Sequence, residues 1–97
     1  MAFEVLLSPQ AIEDLETLDA FVKAEVRDRM SLHLTHQPMK TSRSRIKKLQ
    51  GLAQPQFRLR VGDVRVFYDV VGAEVHVLTI VSKEKAQQWL SESGIPS

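Results

Sequence analysis

No cysteine occurs in the 97 residues. Disulfide and thiolate chemistry are therefore excluded, and structural zinc loses its commonest ligand. No apolar run approaches the roughly 20 residues of a membrane span, and the opening MAFEVLLSPQ has no basic n-region, which predicts no signal peptide. A cytoplasmic protein with no membrane partner is the expectation. Glycine and proline number four each, and neither repeats nor low-complexity segments occur. The motifs of much small-molecule chemistry are missing as well: there is no nucleotide-binding glycine loop, nucleophile elbow or carboxylate cluster. His33 and His36 stand three apart without the further ligands a zinc ion needs. No metal and no cofactor are expected, and the length fits one domain over residues 1–97.

What is present is charge, unevenly placed. The chain carries 13 basic and 12 acidic side chains, yet residues 1–34 sum to −4, residues 35–68 to +7 and residues 69–97 to −2. The middle block holds Lys40, Arg43, Arg45, Lys47, Lys48, Arg58, Arg60 and Arg65 against Asp63 alone. Such a block is either a solvated basic loop or the electrostatic footprint of a phosphate-binding surface. Its place in the fold decides between them.

Phe3 to Leu7 has strand character and breaks at Ser8-Pro9, a helix start in which serine caps and proline takes the first position. Ile12, Leu15, Leu18 and Val22 recur at helical spacing, with Glu13, Asp14 and Glu16 on the other side. Asp19 caps a second helix, in which Val22, Val26, Met30 and Leu34 form a stripe. The pattern predicts a helical hairpin. Thr35 to Lys48 is polar and basic and reads as a loop, entering a short strand near Ile46. FRLRV (57–61) and VRVFYDVV (64–71) flank the turn pair Gly62-Asp63. VHVLTIV (75–81) follows Gly72, and Lys83 to Leu90 has helical composition, ended by Gly94-Ile95-Pro96. The fold class is α+β: an N-terminal strand, a helical hairpin, an antiparallel three-strand meander and a short C-terminal helix.

A two-residue loop at Gly62-Asp63 sets Val61 against Val64, Arg60 against Arg65 and Arg58 against Phe67. A similar turn at Gly72-Ala73 sets Val70 against Val75 and Tyr68 against Val77. Alternation then sends Val64, Val66, Tyr68, Val70, Val75, Val77 and Val81 to an apolar face under the helices, with Tyr68 in the core. Arg58, Arg60 and Arg65 emerge together on the other face, beside Phe67, Asp69 and His76. Like charges opposed across a ladder repel. Three arginines there call either for salt bridges from acidic neighbours or for a bound anion, most simply a nucleic-acid phosphate flanked by Arg43, Arg45, Lys47 and Lys48. His76 is the one conventional acid/base group expected on that face. The Arg65 side chain is expected to be exposed.

A strand ending in Ser8-Pro9-Gln10-Ala11, then IEDLETL, IKKLQG and FRLRVGDVRVFYDV, together with a following apolar strand, resembles the RelE/ParE toxin superfamily from about Phe3 to Leu90. The resemblance implies a RelE-like fold and a type II toxin encoded beside an antitoxin that neutralises it. RelE-like members cut messenger RNA in the ribosomal decoding site, and ParE-like members inhibit DNA gyrase. In the first case the 2′-hydroxyl attacks the adjacent phosphate. The family's sheet cations match Arg58 and Arg60, and its central arginine matches Arg65. That implies phosphate positioning by the first two and charge stabilisation by the third. After the last strand, where many ribonuclease members carry an arginine and then a tyrosine, this chain reads SKEKAQQWL. There Lys83 or Lys85 supplies charge and Trp89 a stacking surface. The expected function is a metal-independent, ribosome-dependent mRNA interferase that inhibits translation. The alternatives are a non-enzymatic gyrase inhibitor, or a weakened toxin acting through antitoxin binding and autorepression. The antitoxin is expected to lay an acidic segment over the basic region.

Overall fold

In the computed structural model, which describes residues 2–97, β1 (Glu4–Leu7) leads into α1 (Pro9–Glu16) and α2 (Ala20–Leu34). Both helix starts follow the capping chemistry of the sequence. The Ser8 side chain accepts from the Ala11 N–H with Pro9 in the first turn, and Asp19 accepts from the Val22 N–H. In α2 the stripe Val26, Met30 and Leu34 is buried, with Val22 at its margin. In α1 the buried residues are Ala11 and Leu15, whereas Ile12 is 52% exposed. The helix is rotated from the predicted stripe because Asp14 also faces the sheet, for the reason given below.

The basic loop then enters β2 (Ile46–Lys48), which is followed by β3 (Leu52–Gln54), β4 (Phe57–Val61), β5 (Val64–Val71) and β6 (Glu74–Ser82). The chain ends with α3 (Lys83–Ser93) and the two-residue β7 (Ile95–Pro96). The meander is the centre of a five-stranded sheet ordered β1-β6-β5-β4-β2, with β3 and β7 paired separately. β1 joins β6 in parallel; the other pairs of the main sheet are antiparallel. Gly62 takes φ +57° at the first position of the β4–β5 turn, where a left-handed backbone favours glycine. Arg60 pairs with Arg65 and Arg58 with Phe67, and Val70 pairs with Val75 and Tyr68 with Val77, as the turn arithmetic requires.

One strand departs from strict alternation. Between the Tyr68–Val77 and Phe67–Thr79 pairs, Leu78 is an extra residue. This β-bulge shifts the phase of everything beyond it. Ile80, paired with Val66, enters the core, and Val81, expected there, stands opposite Arg65. Side chains from α1 and its cap hold the bulge: the Leu78 carbonyl accepts from the Ser8 hydroxyl at 2.8 Å. Asp14 accepts from both the Thr79 hydroxyl (2.6 Å) and the Ile80 N–H (3.0 Å). Tyr68 lies in the core as expected, stacked on Phe57 and donating to the Pro38 carbonyl. Burial pushes its hydroxyl far above the usual tyrosine range, so it has no acid/base role near neutrality.

Candidate nucleic-acid interface

The helices α1 and α2 occupy one face of the sheet, and the arginines occupy the other. Strand pairing arranges the cations in two rows. In the first, the Arg60 N–H donates to the Arg45 carbonyl, and Arg60 pairs in turn with Arg65. In the second, Lys47 pairs with Arg58, which pairs with Phe67. Arg60, Arg45 and Lys47 are exposed and Arg58 is half-buried. Lys48 pairs with Phe57, a core residue, so it leaves this face. Arg43 is exposed in the loop before β2, outside the paired rows.

Arg65, expected to be exposed, is buried. It is only 8% exposed, and its Nη1 donates to the Gly62 and Val64 carbonyls. The C-terminal helix packs on this face: Trp89 stacks on Phe67, and the Lys83 N–H donates to the Asp63 carbonyl at 2.7 Å. Both contacts lie close to Arg65, through Phe67 two residues along its own strand and Asp63 in the adjoining turn. The sequence predicted both α3 and β5 but contained no sign that the one would lie over the other. Lys83 and Lys85 are exposed on the first turn of α3, and Lys85 shares a shallow surface with Val81 and Trp89.

No salt bridge relieves the arginines among the described residues; the ion pairs there are Lys23–Glu16 and His76–Glu74. Burial, then the charges of Arg65 and Arg60, push the Arg58 guanidinium below its usual pKa. Burial and Arg60 do the same to Arg65, partly offset by Asp63. The Arg58 Nε is buried without a hydrogen-bond partner among the described residues. A group of cations that disfavour one another and hold unused donors gains from a bound anion. Asp69, the acid nearest in sequence on this face, is committed elsewhere: it accepts from the Gln54 side-chain amide and the Gln56 N–H.

His76 does not join the cluster. It pairs with Asp69 across the ladder, four residues along β5 from Arg65, or roughly 13 Å. Its Nε2 lies 2.9 Å from a Glu74 carboxylate oxygen. The cations that strand pairing brings together are therefore Arg58, Arg60, Arg45 and Lys47, with Arg65 paired to Arg60 on the adjacent strand. Among the described residues no cluster of three or more metal-ligating side chains occurs, and no helix is long and apolar enough to cross a membrane.

A family described as the ParE toxin of type II toxin-antitoxin systems matches residues 5–87. The chain belongs to it. The toxin also shares its fold with solved RelE proteins. A mutant of the E. coli toxin RelE in the free state is 21% identical, with 96% of this chain and 95% of that one covered at a TM-score of 0.73. The toxin of an archaeal RelE–RelB complex from Pyrococcus horikoshii OT3 is 22% identical, covering 86% of this chain and 97% of its own at 0.70. The toxin-antitoxin complex RelBE2 from Mycobacterium tuberculosis gives 23% identity, 84% and 99% coverage, and 0.63. No curated protein sequence matches the chain. The assignment to the RelE/ParE superfamily agrees with the resemblance drawn from FRLRVGDVRVFYDV and its flanking segments.

Proposed function

We propose that this toxin is a ribosome-dependent endoribonuclease that grips messenger RNA by a backbone phosphate on the arginine face. The observation that carries the reading is the convergence of Arg58, Arg60 and Arg65 on one sheet face with no salt bridge among the described residues to compensate them. Arg60 and Arg58 hold the scissile phosphate, with Arg45 and Lys47 beside them on the same rows. Arg65 adds its charge from the neighbouring strand. The reaction is attack of the 2′-hydroxyl oxygen on the adjacent phosphorus. The bond to the 5′ oxygen breaks, leaving a 2′,3′-cyclic phosphate and a free 5′-hydroxyl. Cations on the non-bridging oxygens favour the crowded, more negative transition state. Arginine is a poor general base because it stays protonated, His76 is remote, and Tyr68 is in the core. In this reading the ribosome orients the 2′-hydroxyl and supplies the proton path.

A second reading, gyrase inhibition without catalysis, is favoured by the ParE family match and by the absence, among the described residues, of a histidine or tyrosine beside Arg58, Arg60 and Arg65. Primer extension on a defined messenger RNA, with and without programmed ribosomes, separates the two. Cuts that need ribosomes and fall at least tenfold in Arg60→Ala support the nuclease. No cuts, together with blocked gyrase supercoiling that survives Arg60→Ala, overturn it. For its antitoxin we propose an acidic segment laid over the basic block, because residues 35–68 sum to +7. That complex weakens with added salt.

A further inference from the structure

A second concave site lies at the edge of the sheet, where the last turn of α2 meets the loop before β2. It is a recess of about 150 Å³ whose polar lining includes His33, His36, Lys40, Thr41, Ser42 and Arg45. Leu32 and Ile46 are its only apolar walls, and none of its residues is acidic. We propose that this recess is a second phosphate site, holding a backbone phosphate of the same RNA strand that reaches the arginine face. The proposal rests on the RNA reading above.

Continuity is the first argument. Arg45 lines both this recess and the neighbouring depression formed with Ser44, Arg60 and Gly62. Lys40, Arg45, Arg60 and Arg58 thus form one basic path around the β2 edge, which suits a phosphate chain. Unused hydrogen-bonding capacity is the second. The His33 Nε2 is buried with no partner among the described residues, and buried polar atoms normally have one. The Ser42 oxygen accepts from the Arg45 and Ile46 N–H groups, which leaves its own proton to donate. The local field is the third. Charges of Arg45 and Arg29, after burial, hold the His33 imidazole below its usual pKa, so the recess is already positive without a histidine charge.

The C-terminal end of α2 opposes this with a partial negative charge of about one half. Its His33 carbonyl, however, already accepts from the Gln37 N–H, and the full charges of Lys40 and Arg45 outweigh it. An acidic protein segment is the weaker occupant, because protein interfaces anchor on apolar or aromatic contacts, and here the walls are mostly hydroxyl, imidazole and cation.

The test uses isotope-labelled full-length protein, titrated with single-stranded RNA of two and of six nucleotides and followed by NMR. The hexanucleotide should shift the His33 imidazole and Lys40 amide signals together with those of Arg58 and Arg60, and the dinucleotide only the latter. Lys40→Ala should weaken the hexanucleotide about fivefold near 0.1 M salt and lower its salt slope by about 0.7, with dinucleotide binding unchanged. His33→Gln should reduce the hexanucleotide advantage without moving the amide spectrum of the sheet. Unmoved His33 signals, or equal hexanucleotide affinity in Lys40→Ala, would overturn the second site. So would an oligoglutamate peptide that shifts His33 where RNA does not. Failure of the RNA reading looks different: the dinucleotide would then leave Arg58 and Arg60 unperturbed.

Discussion

The indole of Trp89 lies flat on the ring of Phe67, with centroids 5.2 Å apart and planes 7° from parallel. This stack is the main side-chain anchor of α3, a helix with no fully buried residue of its own. A helix with no buried residue opens more readily than the sheet beneath it. Trp89→Ala should raise hydrogen exchange at the α3 amides about tenfold, corresponding to roughly 1.4 kcal/mol, a typical stacking contribution plus modest burial. Exchange in the middle of β5 should stay unchanged.

Arg60 and Arg65 respond oppositely to truncation. Arg60 is exposed and faces a like charge across the ladder, so Arg60→Ala should leave the fold as stable or more stable by about 0.5 kcal/mol, while RNA binding falls. Arg65→Ala deletes two bonds to backbone carbonyls and opens space beneath α3. It should cost about 1–2 kcal/mol. Urea unfolding of both variants checks the contrast. A loss of activity in Arg65→Ala alone would therefore be no clean evidence of a catalytic role.

Asp14 joins α1 to the bulge. Removing its carboxylate frees both the Thr79 hydroxyl and the Ile80 N–H in a half-buried place. Asp14→Ala should destabilise by about 2–3 kcal/mol, measured by urea denaturation. The exposed Asp28→Ala should stay within about 0.5 kcal/mol of the parent.

His33 gives the stability a pH slope. Its pKa is held below the ordinary 6.5 by burial and by Arg45 and Arg29, so on acidification the unfolded chain takes the proton first. Stability must then fall as pH drops below 6.5 toward the folded-state value. In His33→Gln the shift in urea midpoint between about pH 7 and pH 5.5 should be smaller than in the parent.

Much of this site was legible in the sequence, and the reasons are local. Gly62-Asp63 and Gly72-Ala73 fix loop lengths, and loop length fixes register; hence the juxtaposition of Arg58, Arg60 and Arg65 follows from counting. Val81 was misplaced because VHVLTIV is apolar at most positions, and a bulge at Leu78 leaves no trace in a pattern that hardly alternates. The burial of Arg65 and the Trp89–Phe67 stack depend on where α3 lies, a tertiary fact with no local signal. β3 and β7 are too short for periodicity to mark, and the outward rotation of Ile12 follows from the hydrogen bonds of Asp14. The recess around His33 draws on α2, the loop and β2 at once. Its residues were visible singly, as two histidines unfit for zinc and a run of cations, but not as one cavity.

The parallel pairing of β1 with β6 sets a timetable for synthesis. The first strand has no partner in the sheet until a segment seventy residues downstream exists, and closing so long a loop is slow compared with forming helices or hairpins. A nascent toxin can therefore form α1, α2 and the β4–β5 hairpin early yet still lack a closed sheet. The arginines of β4 and β5 can thus stand in register on a hairpin that the closed sheet does not yet support.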